Sequence, residues 1–106
     1  MDTARFTELR KGLLEFLILA IVASDDVYAA DILERLRSTD FATREGTLYP
    51  LLSRMRRDGL LDYEWQESTA GPPRKYYRLT ETGRDQLAAF RAYWTTMTDF
   101  IDTLGT

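Results

Sequence analysis

The side chains in this chain best able to carry chemistry are cations set among small polar and aromatic residues. Thr43, Arg44, Thr47, Leu48, Tyr49 and Arg54 fall in one stretch that continues into Arg56 and Arg57, and Arg74 and Lys75 follow a Gly-Pro-Pro turn. Arg, Lys, Thr and Tyr are the side chains that reach phosphate oxygens and base edges, so the pattern points to nucleic acid rather than to bond-breaking chemistry. Asp62 and Glu64 stand two apart, on one face of an expected strand, and are carboxylates that an acid-base site could use. The chain has no His and no Cys. This removes the usual zinc ligands, every Ser-His or Cys-His pair, and any disulfide or thiol switch. A solvated strand face is the simpler reading of Asp62 and Glu64, and no catalytic residue, metal site or cofactor is expected.

Charge is unevenly distributed. The net charge of −3 argues against a protein that coats nucleic acid indiscriminately. Between Thr43 and Arg78, however, seven Lys or Arg face five acids, a balance of +2, whereas the rest of the chain carries seven against twelve, a balance of −5. A locally basic middle inside an acidic protein suits a DNA reader whose other surfaces repel DNA. With 106 residues and 44 % apolar composition, the chain has material for one modest core.

Five elements are expected to position these residues. A first helix from Thr7 to Ala23 is apolar nearly all round from Leu13 onward, which marks it as central to the core. Arg10 and Lys11 before the run Leu13 to Ala23 suggest a signal peptide, but Glu15 interrupts it, Asp2 and Glu8 oppose a positive leader, and the run is about half of the roughly 20 apolar residues a membrane span needs. A buried helix and a cytoplasmic protein with no membrane partner are expected. A second helix, Val27 to Arg37, turns Ile32, Leu33 and Leu36 inward. The third begins near Arg44, with Thr43 as N-cap and Glu45 in the first turn; Leu48, Leu51, Leu52 and Met55 form its inner stripe. Pro50 should bend it, softened because the residue four back is Gly46, and Gly59 suits its C-terminal cap.

Leu61, Tyr63 and Trp65 alternate with polar residues as a half-buried strand. Ser68 to Pro73 read as a turn, and Lys75, Tyr77 and Leu79 return as the second strand. Thr80 then caps a last helix, Glu81 to Leu104. Along it Leu87, Phe90, Trp94, Met97, Ile101 and Leu104 are spaced alternately three and four apart, a coiled-coil seam widened by Tyr93 and Phe100. A helix of about 24 residues is roughly 36 Å long, more than a domain this small can cover. Part of the stripe must find another chain, so a homodimer is expected through Phe90, Tyr93, Trp94, Met97 and Ile101.

Three helices and a hairpin, basic on the third helix and at the loop, are the order of a winged helix-turn-helix. The third helix would enter the major groove and the loop would lie along the backbone or minor groove beside it. Two motifs carry a resemblance to the PadR family: GTLYPLLSRMRRDGLL (Gly46 to Leu61) is similar to its recognition helix and entry to the wing, and GPPRKYYRLTETG (Gly71 to Gly83) to its second wing strand and last helix. The opening LRKGLLEFLILAIV also matches, so nearly the whole chain is covered, and the single C-terminal helix resembles the family's shorter branch. The resemblance implies a dimeric repressor of a double-stranded DNA operator, released by a small aromatic or drug-like effector. By position it places Thr43, Arg44, Thr47, Leu48 and Tyr49 at DNA, Arg74 and Lys75 at the wing, and Trp94 where one tryptophan from each chain can flank a flat ligand. Arg54 joins the DNA set as a cation of the same helix. Tyr49 is open to either a DNA or a core role, Tyr77 reads as packing, and simple packing also remains open for Trp94. The chain departs from the family near Met55 to Arg57, where relatives commonly carry an acid, so their local salt bridges do not transfer.

The expected fold class is therefore mainly α with a small β-hairpin. Residues 1–80 would form the winged helix-turn-helix and 81–106 the dimerisation helix, in one compact unit. A winged helix that binds another protein instead of DNA is the alternative.

Overall fold

The computed structural model describes residues 4–105. A short 3-10 turn, Ala4–Phe6, leads into α1 (Thr7–Ser24), whose Ile18, Leu19 and Val22 are buried at the centre of the core. Around it stand β1 (Val27–Tyr28), α2 (Ala29–Leu36), α3 (Glu45–Arg57), the wing strands β2 (Leu61–Ser68) and β3 (Gly71–Leu79), and α4 (Glu81–Leu104). The inner stripes are those that helical spacing predicts: Ile32 and Leu36 from α2, and Leu48, Leu52 and Met55 from α3, are buried in one core cluster with the α1 residues. The sheet contributes Leu61, Tyr77 and Leu79, and α4 contributes Leu87. Among the described residues no charged side chain is buried, so the core carries no desolvated charge. No helix among them is long and apolar enough to cross a membrane.

The architecture is mainly helical, with a three-stranded antiparallel sheet in the order β1-β3-β2 where the sequence suggested only a hairpin. Val27 and Tyr28, expected to open the second helix, instead pair with Tyr77 and Tyr76. The helix therefore starts at Ala29. Its entry is held by the Tyr28 backbone N–H, which donates to Asp31 Oδ2 at 3.0 Å and so satisfies a group the helix leaves without a partner.

Two further expectations are corrected. Thr43 does not cap α3: the N-cap is Arg44, in an extended conformation and without a side-chain cap bond, its carbonyl accepting from Thr47 and Leu48 N–H at 3.0 and 2.9 Å. The wing tip is also tighter than a Ser68 to Pro73 loop. The strands run to Ser68 and resume at Gly71, leaving Thr69 and Ala70 as the turn, with a register shift between Gln66 and Ser68. Pro72 and Pro73 fall inside β3 at its exposed tip, where a missing N–H costs little.

The joint between α3, wing and α4 is closely specified. Gly59, at φ +80°, ends α3 in a Schellman motif: Leu60 N–H donates to Met55 O at 2.9 Å and Gly59 N–H to Arg56 O at 3.0 Å. Thr80, as predicted, caps α4. Its Oγ1 accepts from Gly83 N–H at 2.9 Å and lies 2.6 Å from Gly59 O, to which its hydroxyl donates. Gly83 has to be glycine, because a Cβ there would collide with the Leu60 carbonyl oxygen and come within 2.8 Å of Leu79 Cδ1. Leu60 and Thr80 thus bind the two feet of the wing to the start of α4. Beyond Leu87, α4 rests on α1 through Phe90, whose ring stacks on Phe16 at 4.0 Å and 8°, and then runs out from the body of a molecule measuring 58 × 32 × 21 Å.

Candidate nucleic-acid interface

Helix α3 buries one face and leaves the other open. Arg44 and Thr47 are exposed at its N-terminal end, Thr43 is half-buried just before it, and Tyr49 is 45 % exposed, which places its ring at the surface rather than in the core. Leu48 leaves the candidate set: it is wholly buried among core side chains and cannot reach a groove. Arg54 turns toward α1, where its guanidinium lies 3.6 Å from the Glu15 carboxylate, so its charge is already answered within the fold.

Opposite Tyr49 stands the wing. Between α3, the junction of β1 with α2, and the wing strands lies an open cleft of about 450 Å³, lined on one side by Tyr49 and Ser53, at its floor by Tyr28, Ala29 and Ala30, and on the other by Trp65, Arg74 and Lys75. The strand register makes this possible, since Trp65 faces Lys75 and Gln66 faces Arg74 across the β2–β3 pair. The sequence separates Tyr49 from Arg74 and Lys75; the fold places them around one concavity.

Charge differs along the length of the hairpin. At its base Arg78 sits 3.6 Å from Asp62 and 3.9 Å from Glu64, and Arg56 lies 4.0 Å from the other oxygen of Asp62. The two carboxylates that suggested an acid-base pair are thus answered by arginines on an exposed strand face. Toward the tip the cations meet rings instead. The Arg74 guanidinium lies 4.1 Å from the centre of the Tyr28 ring, and Lys75 Nζ 4.5 Å from that of Tyr63 and 5.5 Å from that of Trp65. Neither Arg74 nor Lys75 forms an ion pair with a carboxylate among the described residues. Their charge stays available to an outside anion. Tyr77 is buried beneath them, as its place in the strand alternation predicts, and that burial, helped by the neighbouring Tyr63 and Tyr49 phenols, pushes its hydroxyl pKa up against the opposing pull of Arg56.

Sequence reasoning did not place Tyr28 or Trp65 at the site. Tyr28 sat in the expected second helix, and Trp65 in a strand whose inner face was assigned to the core. Trp65 is in fact 61 % exposed, because β2 extends past the core toward the wing tip.

The second group of expected residues forms a separate cluster on α4, none of it lining the cleft. Phe90 is half-buried under Phe16, and Trp94, 43 % exposed, follows it at 5.8 Å between ring centres. Met97 is half-buried, while Tyr93 and Ile101 are more than half exposed. Between α1 and α4, Leu9, Leu13, Phe16, Phe90 and Tyr93 line an apolar groove of about 470 Å³. Among the described residues no group of His, Cys, Asp or Glu side chains could hold a metal ion.

Comparison with known proteins agrees with this arrangement. Residues 18–89 match the transcriptional regulator PadR-like family. The chain is 34 % identical to Transcriptional regulator Rv3488 of Mycobacterium tuberculosis, over 79 % of this chain and 78 % of that one. A solved PadR-like transcription factor from Bacteroides fragilis superposes with a TM-score of 0.84 at 42 % identity, covering 97 % of this chain and 99 % of that one. A PadR family transcriptional regulator from Eggerthella lenta DSM 2243 superposes with a TM-score of 0.83 at 32 % identity, over 96 % and 89 % of the two chains. The winged-helix order of the elements coincides with the match: this chain belongs to the PadR-like family of transcriptional regulators, non-enzymatic winged-helix proteins that bind DNA.

Proposed function

We propose that this protein is a cytoplasmic homodimeric repressor that grips a pseudo-palindromic operator with two α3 helices and two wings. The observation that carries the DNA-facing part is the cleft between Tyr49 and the wing, where Arg74 and Lys75 keep their charge unanswered. Arg44 and Thr47 at the start of α3 reach base edges, Tyr49 contributes at the cleft wall, and the wing cations bind phosphate. Two-fold symmetry sets the half-sites about one helical turn apart, roughly 10 base pairs, or a multiple of it.

Residues 81–106 serve as the dimerisation element. Support comes from the apolar stripe that the rest of the chain leaves open, with Phe100 52 %, Ile101 67 % and Leu104 82 % exposed, and from the groove between α1 and α4 that can receive it. A planar aromatic effector would stack between the Trp94 side chains of the two protomers, altering the angle between the α4 helices and hence the spacing of the recognition helices. Such a ligand releases DNA only by its differential affinity for the two arrangements.

Binding to a duplex from the region upstream of its own gene, measured from low to moderate salt, tests the DNA-facing assignment. Affinity should fall linearly on a log-log scale. Arg74→Ala or Lys75→Ala should each flatten the slope by about one while barely changing sequence preference. A salt-independent complex, or wing variants with the wild-type slope, would refute it.

A further inference from the structure

The Tyr63 ring has two cations, and they come from different elements. Arg56 of α3 places its guanidinium carbon 4.6 Å from the ring centre, and Lys75 of β3 places its ammonium 4.5 Å from the same centre. The ring is itself fixed edge-on against Tyr77 at 5.7 Å and Trp65 at 6.0 Å, and Tyr77 is buried. Among the described residues its hydroxyl forms no hydrogen bond, and the contacts the cations make are to the ring.

We propose that Tyr63 is a positioning residue for DNA binding, one aromatic ring that sets the recognition helix and the wing at a fixed separation by holding Arg56 and Lys75 to it. The inference rests on the reading of α3 and the wing as the DNA-facing surface. Its physical basis is the difference between a ring and a carboxylate as a partner for a cation. A carboxylate offsets the charge it orients, as Asp62 and Glu64 do for Arg78 and as Asp62, 4.0 Å from Nε, does in part for Arg56, whereas Lys75 meets rings alone. An aromatic face attracts the cation through its quadrupole and carries no net charge, so the cation is oriented yet remains able to neutralise a phosphate. Two like charges would otherwise separate, and Lys75, which has no carboxylate partner among the described residues, would face DNA from a freely moving stem. The same cost in rotamer freedom would then fall due on binding. Trp65 adds a second ring to Lys75, and Arg74 meets the ring of Tyr28 instead.

The test compares Tyr63→Leu with Tyr63→Phe in the full chain, by operator affinity and its salt dependence. Tyr63→Phe keeps the face and should bind as wild type. Tyr63→Leu removes a ring from two cations, each contact being worth about threefold, and should weaken binding about tenfold. Trp65→Leu, at an exposed position, should cost about threefold. In the free protein the Lys75 ε-methylene proton signals should lie upfield under the two ring faces, remain so in Tyr63→Phe, and move toward their free-lysine position in Trp65→Leu. Lys75 signals at the free-lysine position in wild type would overturn the proposal, as would equal binding by Tyr63→Leu and wild type or equal losses in Tyr63→Leu and Tyr63→Phe. If Tyr63→Leu does not fold, the Trp65→Leu affinity and the Lys75 signals decide in the same way. Failure of the underlying reading is distinguishable: Lys75→Ala would then leave the salt slope unchanged, whereas failure of this inference alone leaves Lys75→Ala impaired and Tyr63→Leu intact.

Discussion

Replacing Ile101 with Glu tests the proposed dimer interface separately from the fold. Ile101 is 67 % exposed in the single chain, so a carboxylate there meets water and should leave the protomer's helicity unchanged. In a two-fold dimer the consequence is doubled, because each protomer contributes one copy. Covering the open part of an isoleucine side chain is worth roughly 1–2 kcal/mol, hence about 2–4 kcal/mol for the pair. Glu forfeits that and adds the cost of desolvating an unpaired carboxylate, at least about 1 kcal/mol per copy. Near α4's end no partner stands ready, since Asp99 and Asp102 are the neighbouring charges and α4 has no basic residue in its last turn. The sum is at least about 4 kcal/mol, which should weaken the proposed dimer by roughly a thousandfold or more. Adding Met97→Glu should deepen the effect and, by charging a half-buried site, begin to cost the fold as well. Sedimentation velocity at micromolar concentration, beside far-ultraviolet circular dichroism, reads both quantities. Ile101→Glu should sediment as a helical monomer and lose operator affinity with its dimer. A variant that remains a dimer with wild-type DNA binding would refute the placement of Ile101 at the interface.

Three further outcomes follow from the geometry. Gly83→Ala drives a methyl into the Leu60 carbonyl, a backbone group that cannot swing aside, and should destabilise the protein by about 2–3 kcal/mol, lowering the thermal midpoint by roughly 10–20 °C in calorimetry; an unchanged midpoint would mean that the wing foot and α4 are not packed as described. The raised pKa of Tyr77 makes stability pH-dependent on the alkaline side: above about pH 10 the unfolded phenol loses its proton while the folded one keeps it, so the contribution is intact below pH 10 and is lost as pH rises through the folded value. Denaturant midpoints should accordingly fall from pH 10 upward, less steeply in Tyr77→Phe, and identical slopes would place Tyr77 in contact with water. With Trp65→Phe leaving Trp94 as the sole indole, titration with planar aromatic dyes and phenolic acids should give saturable quenching with a matching loss of operator affinity, both abolished by Trp94→Ala; absence of quenching by every flat ligand would assign Trp94 to packing alone.

Much of this protein was legible in one dimension, because the signals involved are local. The three-four spacing of Leu48, Leu52 and Met55, the alternation of Leu61 and Tyr63 with acids, the Thr80 cap and the Gly59 stop each depend on residues a turn or a strand apart, and each appears in the fold where the spacing places it. Absence of His and Cys likewise needed no coordinates to exclude whole classes of chemistry. What the tertiary structure alone decided is the choice of partner among many equivalent ones. Val27 and Tyr28 stand directly before the helical spacing of Ile32, Leu33 and Leu36 and so read as the start of that helix, yet they pair with β3 some fifty residues away in sequence, since an open β3 edge offers hydrogen bonds that local pattern cannot register. Leu48 fits both the core stripe and a family's DNA-facing stretch, and only the position of α1 and α2 resolves it as buried. The cations divide in the same way. Arg54 meets Glu15, Arg78 meets Asp62 and Glu64, and Arg74 and Lys75 meet rings. Sequence counts seven basic residues in this stretch as alike, but distance to a carboxylate or to a ring face, which exists only in three dimensions, determines which of them still has charge to offer DNA.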